Sequence, residues 1–180
     1  DGVTTPASGC RHSRFAQVLY PLAYTGNKLS WPGTDIDALA FIIAISQSEQ
    51  CTTNVTDMKM MFSGAGNKTS SNPSINLCNW KTDNIIDISH MFYQTGIKTI
   101  YTCSDWNIPD TATDTDMFGK KENQASPRIV GGAGTTWSSS NPTDKTYARI
   151  DDPANDRPGY FTDITSFADS IDITVPDTQS

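Results

Sequence analysis

The feature that most constrains the fold is a nine-residue frame that occurs three times in the 180-residue chain. NVTDMKMMF begins at residue 54 (first frame), NIIDISHMF at residue 84 (second frame) and the weaker DTATDTDMF at residue 110 (third frame). Counted from Val55 or Ile85, the apolar residues of the first two frames fall at offsets 0, 3, 6 and 7, which is the spacing of one helical face. Asn54, Asn84 and Asp110 are favoured N-cap types. The sequence therefore predicts three short helices, the third of them degraded.

Short alternating stretches bounded by turn residues follow the frames. SINLCNW (74–80) and TIYTCSDW (99–106) each predict a strand, and RIVGG (128–132) predicts a third strand after the third frame. A unit of cap, short helix, turn and strand is too small to bury its own apolar face, so such units stack. The expected fold class is α/β, a short solenoid of stacked strand–helix units with capping segments at both ends.

The four cysteines fit a disulfide framework better than a metal site. No pair has CxxC spacing, and the chain has only two histidines, so no zinc template fits. An even number of cysteines in an acidic, Thr- and Asn-rich chain favours two disulfides and an oxidising compartment. Strands aligned in register place Cys78 and Cys103 on neighbours about 4.8 Å apart. We expect Cys78–Cys103, and by elimination Cys10–Cys51; buried free thiols are the alternative.

Charge and hydropathy argue against nucleic-acid binding and membrane insertion. The net charge is −7, and no cluster of Lys and Arg exists that could neutralise a phosphate backbone. The most apolar run, ALAFIIAI (38–45), is too short to cross a bilayer.

Catalytic and cofactor motifs are missing from the sequence. The Gly-rich runs lack phosphate-loop spacing, and neither a nucleophile elbow nor a metalloprotease helix is present. We therefore expect no enzyme activity, no catalytic residue, no bound metal and no cofactor. The Asp residues at 105–116 and 151–156 could bind calcium through their carboxylates. Helix capping and exposure to solvent explain the presence of these residues more simply.

Two tryptophans are the candidate ligand-binding residues. Trp31 and Trp137 lie in predicted loops beside Gly and Pro, where an aromatic ring can be exposed. Trp80 and Trp106 end the two predicted strands, and buried packing is the expected role for both.

The frames and the segments after them resemble the BspA-like leucine-rich repeats of bacterial surface proteins, also described as mycoplasma-type lipoprotein repeats. NVTDMKMMF and INLCNW match that family's helix and strand, NIIDISHMF matches well and DTATDTDMF poorly. The resemblance covers residues 54–162, including the segments typical of the end of such an array, which are Val130-Gly131-Gly132, residues 147–151 and residues 158–162. It implies a leucine-rich-repeat-like fold and binding to host proteins, other cells or matrix.

These observations together give an expected organisation and function. Residues 1–50 form an N-terminal capping segment, 51–162 the repeats with their closing segment, and 163–180 a strand or linker to a further domain. The expected function is an extracellular, cell-surface recognition or adhesion module of a larger, multidomain bacterial surface protein, with a host or cell-surface protein or glycan as partner. A structural spacer without a ligand of its own is the alternative, and a calcium- or sugar-binding domain is a third possibility.

Overall fold

The computed structural model of the chain describes residues 52, 55–67, 72–119 and 127–165, together with two short strands nearer the N-terminus. Its regular elements are five strands and two short 3₁₀ helices. The strands are β1 (Ala23–Thr25), β2 (Lys28–Ser30), β3 (Ser74–Asn76), β4 (Thr99–Thr102) and β5 (Phe161–Asp163). The 3₁₀ helices are Lys145–Tyr147 and Pro153–Asn155.

Strands β3, β4 and β5 form a parallel sheet in that order, whereas β1 and β2 pair as an antiparallel hairpin. Ile75 lies opposite Ile100, and Ile100 opposite Phe161, and all three side chains are buried. The strands predicted at 74–80 and 99–106 therefore contain β3 and β4. The prediction at 128–132 is wrong, because Val130 forms only an isolated bridge to Thr136 and the third parallel strand is β5.

The expected solenoid of stacked strand–helix units is also wrong. In the part of the chain that the structure describes there is no α-helix, and the frames fold into successive tight turns. Asn84 and Asp110 consequently begin no helix, and Asn54 lies outside the described residues.

Backbone geometry explains why no helix forms. The seventh residue of each frame has left-handed φ: 57° at Met60, 57° at His90 and 50° at Asp116. A right-handed helix cannot continue through such a residue. Within the first frame the N–H groups of Met61 and Ser63 donate three residues back, as turns do. The alternate N–H groups, which a helix would use internally, leave the frame altogether.

Those alternate N–H groups join each frame to the next. Four backbone bonds of 2.8–3.0 Å run from the first frame and its turn to the second, from Met58 to Asp87, Met60 to Ser89, Phe62 to Met91 and Gly64 to Tyr93. The second and third frames are connected in the same way, from Ile88 to Thr113, His90 to Thr115 and Phe92 to Met117. We call residues 55–67, 85–95 and 111–119 together the turn ladder. Its bonds stack the frames in register as a sheet does, without extended strands.

The core lies between the turn ladder and the parallel sheet, and it contains a column of aromatic rings. Phe62, Phe92 and Phe118 occupy the last position of each frame, with successive ring centroids 5.5 Å apart. Trp80 and Trp106 stack beside this column with indole planes 2° apart. Offset and edge-on contacts between such rings add stabilisation beyond the burial of their area.

The third frame is where the ladder closes. Asp114 takes the place of the apolar Met58 and Ile88, and its carboxylate accepts the N–H of Lys145 at 3.3 Å. The Phe118 N–H donates to the Thr143 carbonyl at 2.9 Å, so residues 143–145 replace a further frame. The degraded sequence of the third frame thus reflects its role at the end of the stack.

Tyr160 and Phe161 cover the end of the aromatic column. Both pack edge-on, Tyr160 against Phe118 and Phe161 against Trp106, each pair with centroids 5.0 Å apart. Both residues are fully buried. Most of the predicted N-terminal capping segment (residues 1–50) and of the predicted C-terminal segment (residues 163–180) lies outside the described residues.

Candidate interaction surface

The outer face of the turn ladder carries two large exposed apolar side chains. Met60 is 53% exposed and Ile86 is 65% exposed, whereas Met58 and Met61 on either side of Met60 are buried. The left-handed backbone at Met60 explains this contrast, because it turns one residue of an apolar run away from the core. Helical spacing placed Val55, Met58, Met61 and Phe62 inside and left Met60 and Ile86 off the apolar face. The apolar spacing of the frames therefore indicates that Met60 and Ile86 are exposed, although the sequence did not identify them as a binding site.

Charged and polar residues are the neighbours of these two residues along the first two frames. The Lys59 ammonium lies 3.8 Å from the Asp87 carboxylate across the first two frames. His90 packs edge-on against Tyr93, with ring centroids 5.4 Å apart, and its Nε2 lies 3.8 Å from the Asp116 carboxylate. We define the ladder patch as Lys59, Met60, Ile86, Asp87, His90 and Tyr93.

The backbone under the ladder patch is held firmly. Ile86 and Asp87 both donate backbone N–H groups to the Thr56 carbonyl, at 2.7 and 3.1 Å. The Asp87 carboxylate also accepts the N–H and the hydroxyl of Ser89, at 2.9 and 2.6 Å. Because these residues are fixed before any ligand arrives, binding would require little ordering of the backbone. The patch offers apolar contact, ion pairing and hydrogen bonding.

The described ranges contain no group of three or more His, Cys, Asp or Glu side chains that could hold a metal ion. In the same ranges no helix is long and apolar enough to cross a bilayer. Asp151, from one of the acidic groups, is buried and bonded to backbone, whereas Asp105 pairs with Arg157 and Asp110 with Lys145.

Trp137 is half-buried and packs against the core. Its indole Nε1 is buried without a hydrogen-bond partner. Trp31 lies outside the described residues. The structure therefore does not bring the two predicted ligand-binding tryptophans together, and their binding role stays a prediction.

A disulfide joins Cys78 to Cys103, the pair that strand register predicts. The two Cα atoms are 4.6 Å apart, close to the ordinary spacing of neighbouring strands. Cys10 and Cys51 lie outside the described residues.

Comparison with known proteins places the frames in a family. A family profile described as "Mycoplasma protein of unknown function, DUF285" matches residues 38–129, just over half of the chain. The chain belongs to the DUF285 family. No curated protein matches it significantly, and neither does any solved structure.

The DUF285 match contains all three frames, strands β3 and β4, and the whole ladder patch. It ends at residue 129, before the residues that close the ladder and before β5. Trp137 therefore lies beyond the family match, while every residue of the ladder patch lies within it.

Proposed function

We propose that this DUF285 chain is an extracellular recognition module of a larger bacterial surface protein, and that it binds a host or cell-surface protein through the ladder patch. The observation that supports this function best is the exposure of Met60 and Ile86 on a hydrogen-bonded scaffold. Exposed apolar side chains rimmed by polar groups are typical of protein-binding surfaces. A glycan is the second class of partner, for which the half-buried Tyr93 offers a ring edge and Lys59 and Asp87 offer polar contacts.

Further support comes from the likeness to BspA-like repeats and from the disulfide. The quoted frames and end segments resemble a family of bacterial surface proteins, and the DUF285 match is compatible with that resemblance. A disulfide such as Cys78–Cys103 persists in oxidising compartments, as a cell-surface location requires. Because fold and family do not identify a ligand, the partner must be found by binding experiments.

The test is a binding screen with the purified chain against immobilised extracellular-matrix proteins, host cells and a glycan array. We expect binding that the double variant Met60→Ser/Ile86→Thr loses at least about tenfold, since truncating anchor residues costs more than about 1 kcal/mol each. Ala154→Ser, an equally exposed apolar-to-polar change in the Pro153–Asn155 3₁₀ helix, is the matched control. Binding that survives the double variant, or that the control also loses, would reject the ladder patch as the binding surface.

A structural spacer is the second candidate function. The continuous backbone hydrogen bonds of the turn ladder and the aromatic column can make the repeats rigid along their whole length. A spacer would show no saturable binding in the screen. In a surface-displayed parent protein it would tolerate the double variant without loss of adhesion. Loss of adhesion in that variant would favour recognition over spacing.

A further inference from the structure

The Cys78–Cys103 disulfide lies at the surface, at the carboxyl ends of two neighbouring strands. Cys103 directly follows β4, and Cys78 follows β3 by two residues. Cys103 is exposed and so are Ser104 and Asp105 after it, whereas Cys78 is half-buried and follows the fully buried Leu77. The two residues of one bond therefore differ in exposure, and Cys103 is the more exposed of the two.

The strands are held together without this disulfide. Their parallel register runs from Ser74 opposite Thr99 to Asn76 opposite Tyr101. The Leu77 N–H then donates to the Tyr101 carbonyl at 2.8 Å, and the Cys78 N–H to the Asn76 side chain at 2.9 Å. The pairing of the two strands and the bond at the Cys78 backbone therefore do not depend on the disulfide.

The charge beside Cys103 is already paired. The carboxylate of Asp105 accepts hydrogen bonds from the Arg157 guanidinium and from the Ile150 N–H. An approaching thiolate therefore meets a carboxylate whose charge is matched by a cation, which reduces its repulsion.

From these observations we propose that Cys78–Cys103 is a thiol–disulfide exchange site, at which a low-molecular-weight thiol enters at the Cys103 Sγ. The attacking thiolate, having lost its proton to solvent, forms a new S–S bond to Cys103 Sγ. The Cys78–Cys103 bond breaks, and its electron pair leaves on Cys78 as a thiolate. The step is an exchange in which one disulfide replaces another, and it requires no separate oxidant.

The hydrogen-bonded backbone at Cys78 also favours the reverse reaction, in which the native disulfide re-forms. The Cys78 thiolate remains beside the mixed disulfide, attacks Cys103 Sγ and expels the external thiol. Because this attack is intramolecular, its effective concentration is high and the native disulfide re-forms quickly. The site is thus a reversible carrier of a small thiol, and the sheet remains intact through the cycle.

The test uses the full chain and glutathione as probe. The native protein is incubated with reduced glutathione and free thiolates are then trapped with N-ethylmaleimide. Peptide mapping by mass spectrometry reads which cysteine carries each label. We expect glutathione on Cys103 and maleimide on Cys78, with at least about tenfold preference over the reverse arrangement. Equal labelling, glutathione mainly on Cys78, or labelling only after addition of urea would overturn the proposal.

Two single variants give an independent check. Cys78→Ser leaves Cys103 as the only thiol of the pair, and Cys103→Ser leaves Cys78. With oxidised glutathione, Cys78→Ser is expected to form a mixed disulfide roughly ten times faster than Cys103→Ser, provided both retain the wild-type far-ultraviolet circular dichroism. If either variant loses that spectrum, the wild-type peptide map alone decides. Equal rates in two folded variants would contradict entry at Cys103.

Discussion

The buried carboxylate of Asp151 accepts the backbone N–H of Gly159 at 3.1 Å, and so connects two parts of the region after the turn ladder, residues 127–165. The same carboxylate accepts the N–H groups of Ala133 and Thr135, both at 2.9 Å, and the Thr135 hydroxyl at 2.6 Å. Four donors thus converge on one side chain from two separate segments. Asp151 is therefore an internal anchor, whose carboxylate is used by donors of the protein itself.

Replacing Asp151 with Asn should therefore destabilise residues 127–165. The amide would present an N–H₂ group to backbone donors and would remove the charge that strengthens each bond. We expect Asp151→Asn to lower the free energy of unfolding by about 3 kcal/mol, measured by urea denaturation. Asp152→Asn, at the half-buried neighbouring position, is the control and should change it by less than about 1 kcal/mol.

Gly96 lies directly against the backbone of Gly66, in the turns that follow the second and the first frame. A Cβ atom at residue 96 would overlap the Gly66 carbonyl and would lie 2.6 Å from the Asn67 nitrogen. Because both obstacles are backbone atoms, Gly96→Ala should separate the frames and cost more than about 2 kcal/mol. Gly134→Ala is the comparison, since it has open space but a φ of +99° and should cost about 1 kcal/mol. Equal losses in thermal melts would argue against a close approach at Gly96.

Thr102 offers a route to higher stability. Its hydroxyl is buried in β4 without a hydrogen-bond partner, at the position that corresponds to the core residue Leu77 in the unit before. Thr102→Val removes the unpaired hydroxyl while keeping the branched shape, so we expect a gain of about 1 kcal/mol in urea denaturation. Thr99→Val in the half-buried first position of β4 should be close to neutral. A loss of stability in Thr102→Val would show that the hydroxyl is satisfied in solution.

Phe92 is the centre of the aromatic column. It lies between Phe62 and Phe118 and is fully buried. Truncation to alanine would leave a cavity at the middle of the repeats, and we expect a loss of about 4 kcal/mol. Tyr93→Ala, which removes a half-buried aromatic ring on the ladder patch, should cost much less. Thermal unfolding of both variants measures the difference.

Tyr160 should make the protein sensitive to alkali. Burial raises the pKa of its phenol above the ordinary 10.0, although the hydrogen bond from Asn141 works in the opposite direction. The folded state therefore favours the neutral phenol, and this stabilisation is fully present below pH 10 and is lost as the pH rises through the higher folded-state pKa. The melting temperature should fall above about pH 10, and the fall should be shallower in Tyr160→Phe.

The positions of the three frames and of two strands of the parallel sheet could be predicted from the sequence, because both depend on local patterns. Alternation at 74–80 and 99–106 identified β3 and β4. Equal spacing within those strands predicted that Cys78 and Cys103 would be neighbours. Buried residues lie two apart in both segments, Ile75 and Leu77 in the first and Ile100 and Thr102 in the second, as the alternation of a strand requires.

The helix predicted for each frame is wrong because the spacing of the apolar residues fits both a helix and a series of tight turns. Val55, Met58, Met61 and Phe62 are buried in the observed turns, as they would be on one helical face. What distinguishes the two is the left-handed backbone at Met60 and His90, residue types that seldom adopt it. Bonds to the neighbouring frame compensate for that conformation, and a local pattern does not contain them. Strand β5 was missed for a related reason, since it completes the sheet from far along the chain.

Most bonds of the ladder run in one direction, because the second frame accepts three N–H groups from the first and donates three of its own to the third; fewer bonds, such as that from Thr113 to Ile86, run back. Each frame therefore has two different edges, and the edge that faces the previous frame is complementary to the edge that faces the next. A duplicated frame inserted between the first and second would meet an acceptor where it donates and a donor where it accepts. An array built in this way can be lengthened or shortened by whole units without altering residues 143–145, which terminate this one. A change in the number of frames would therefore cost little stability. Loss of residues 143–145 would cost more, because it would leave the outer edge of the last frame without its hydrogen-bond partners.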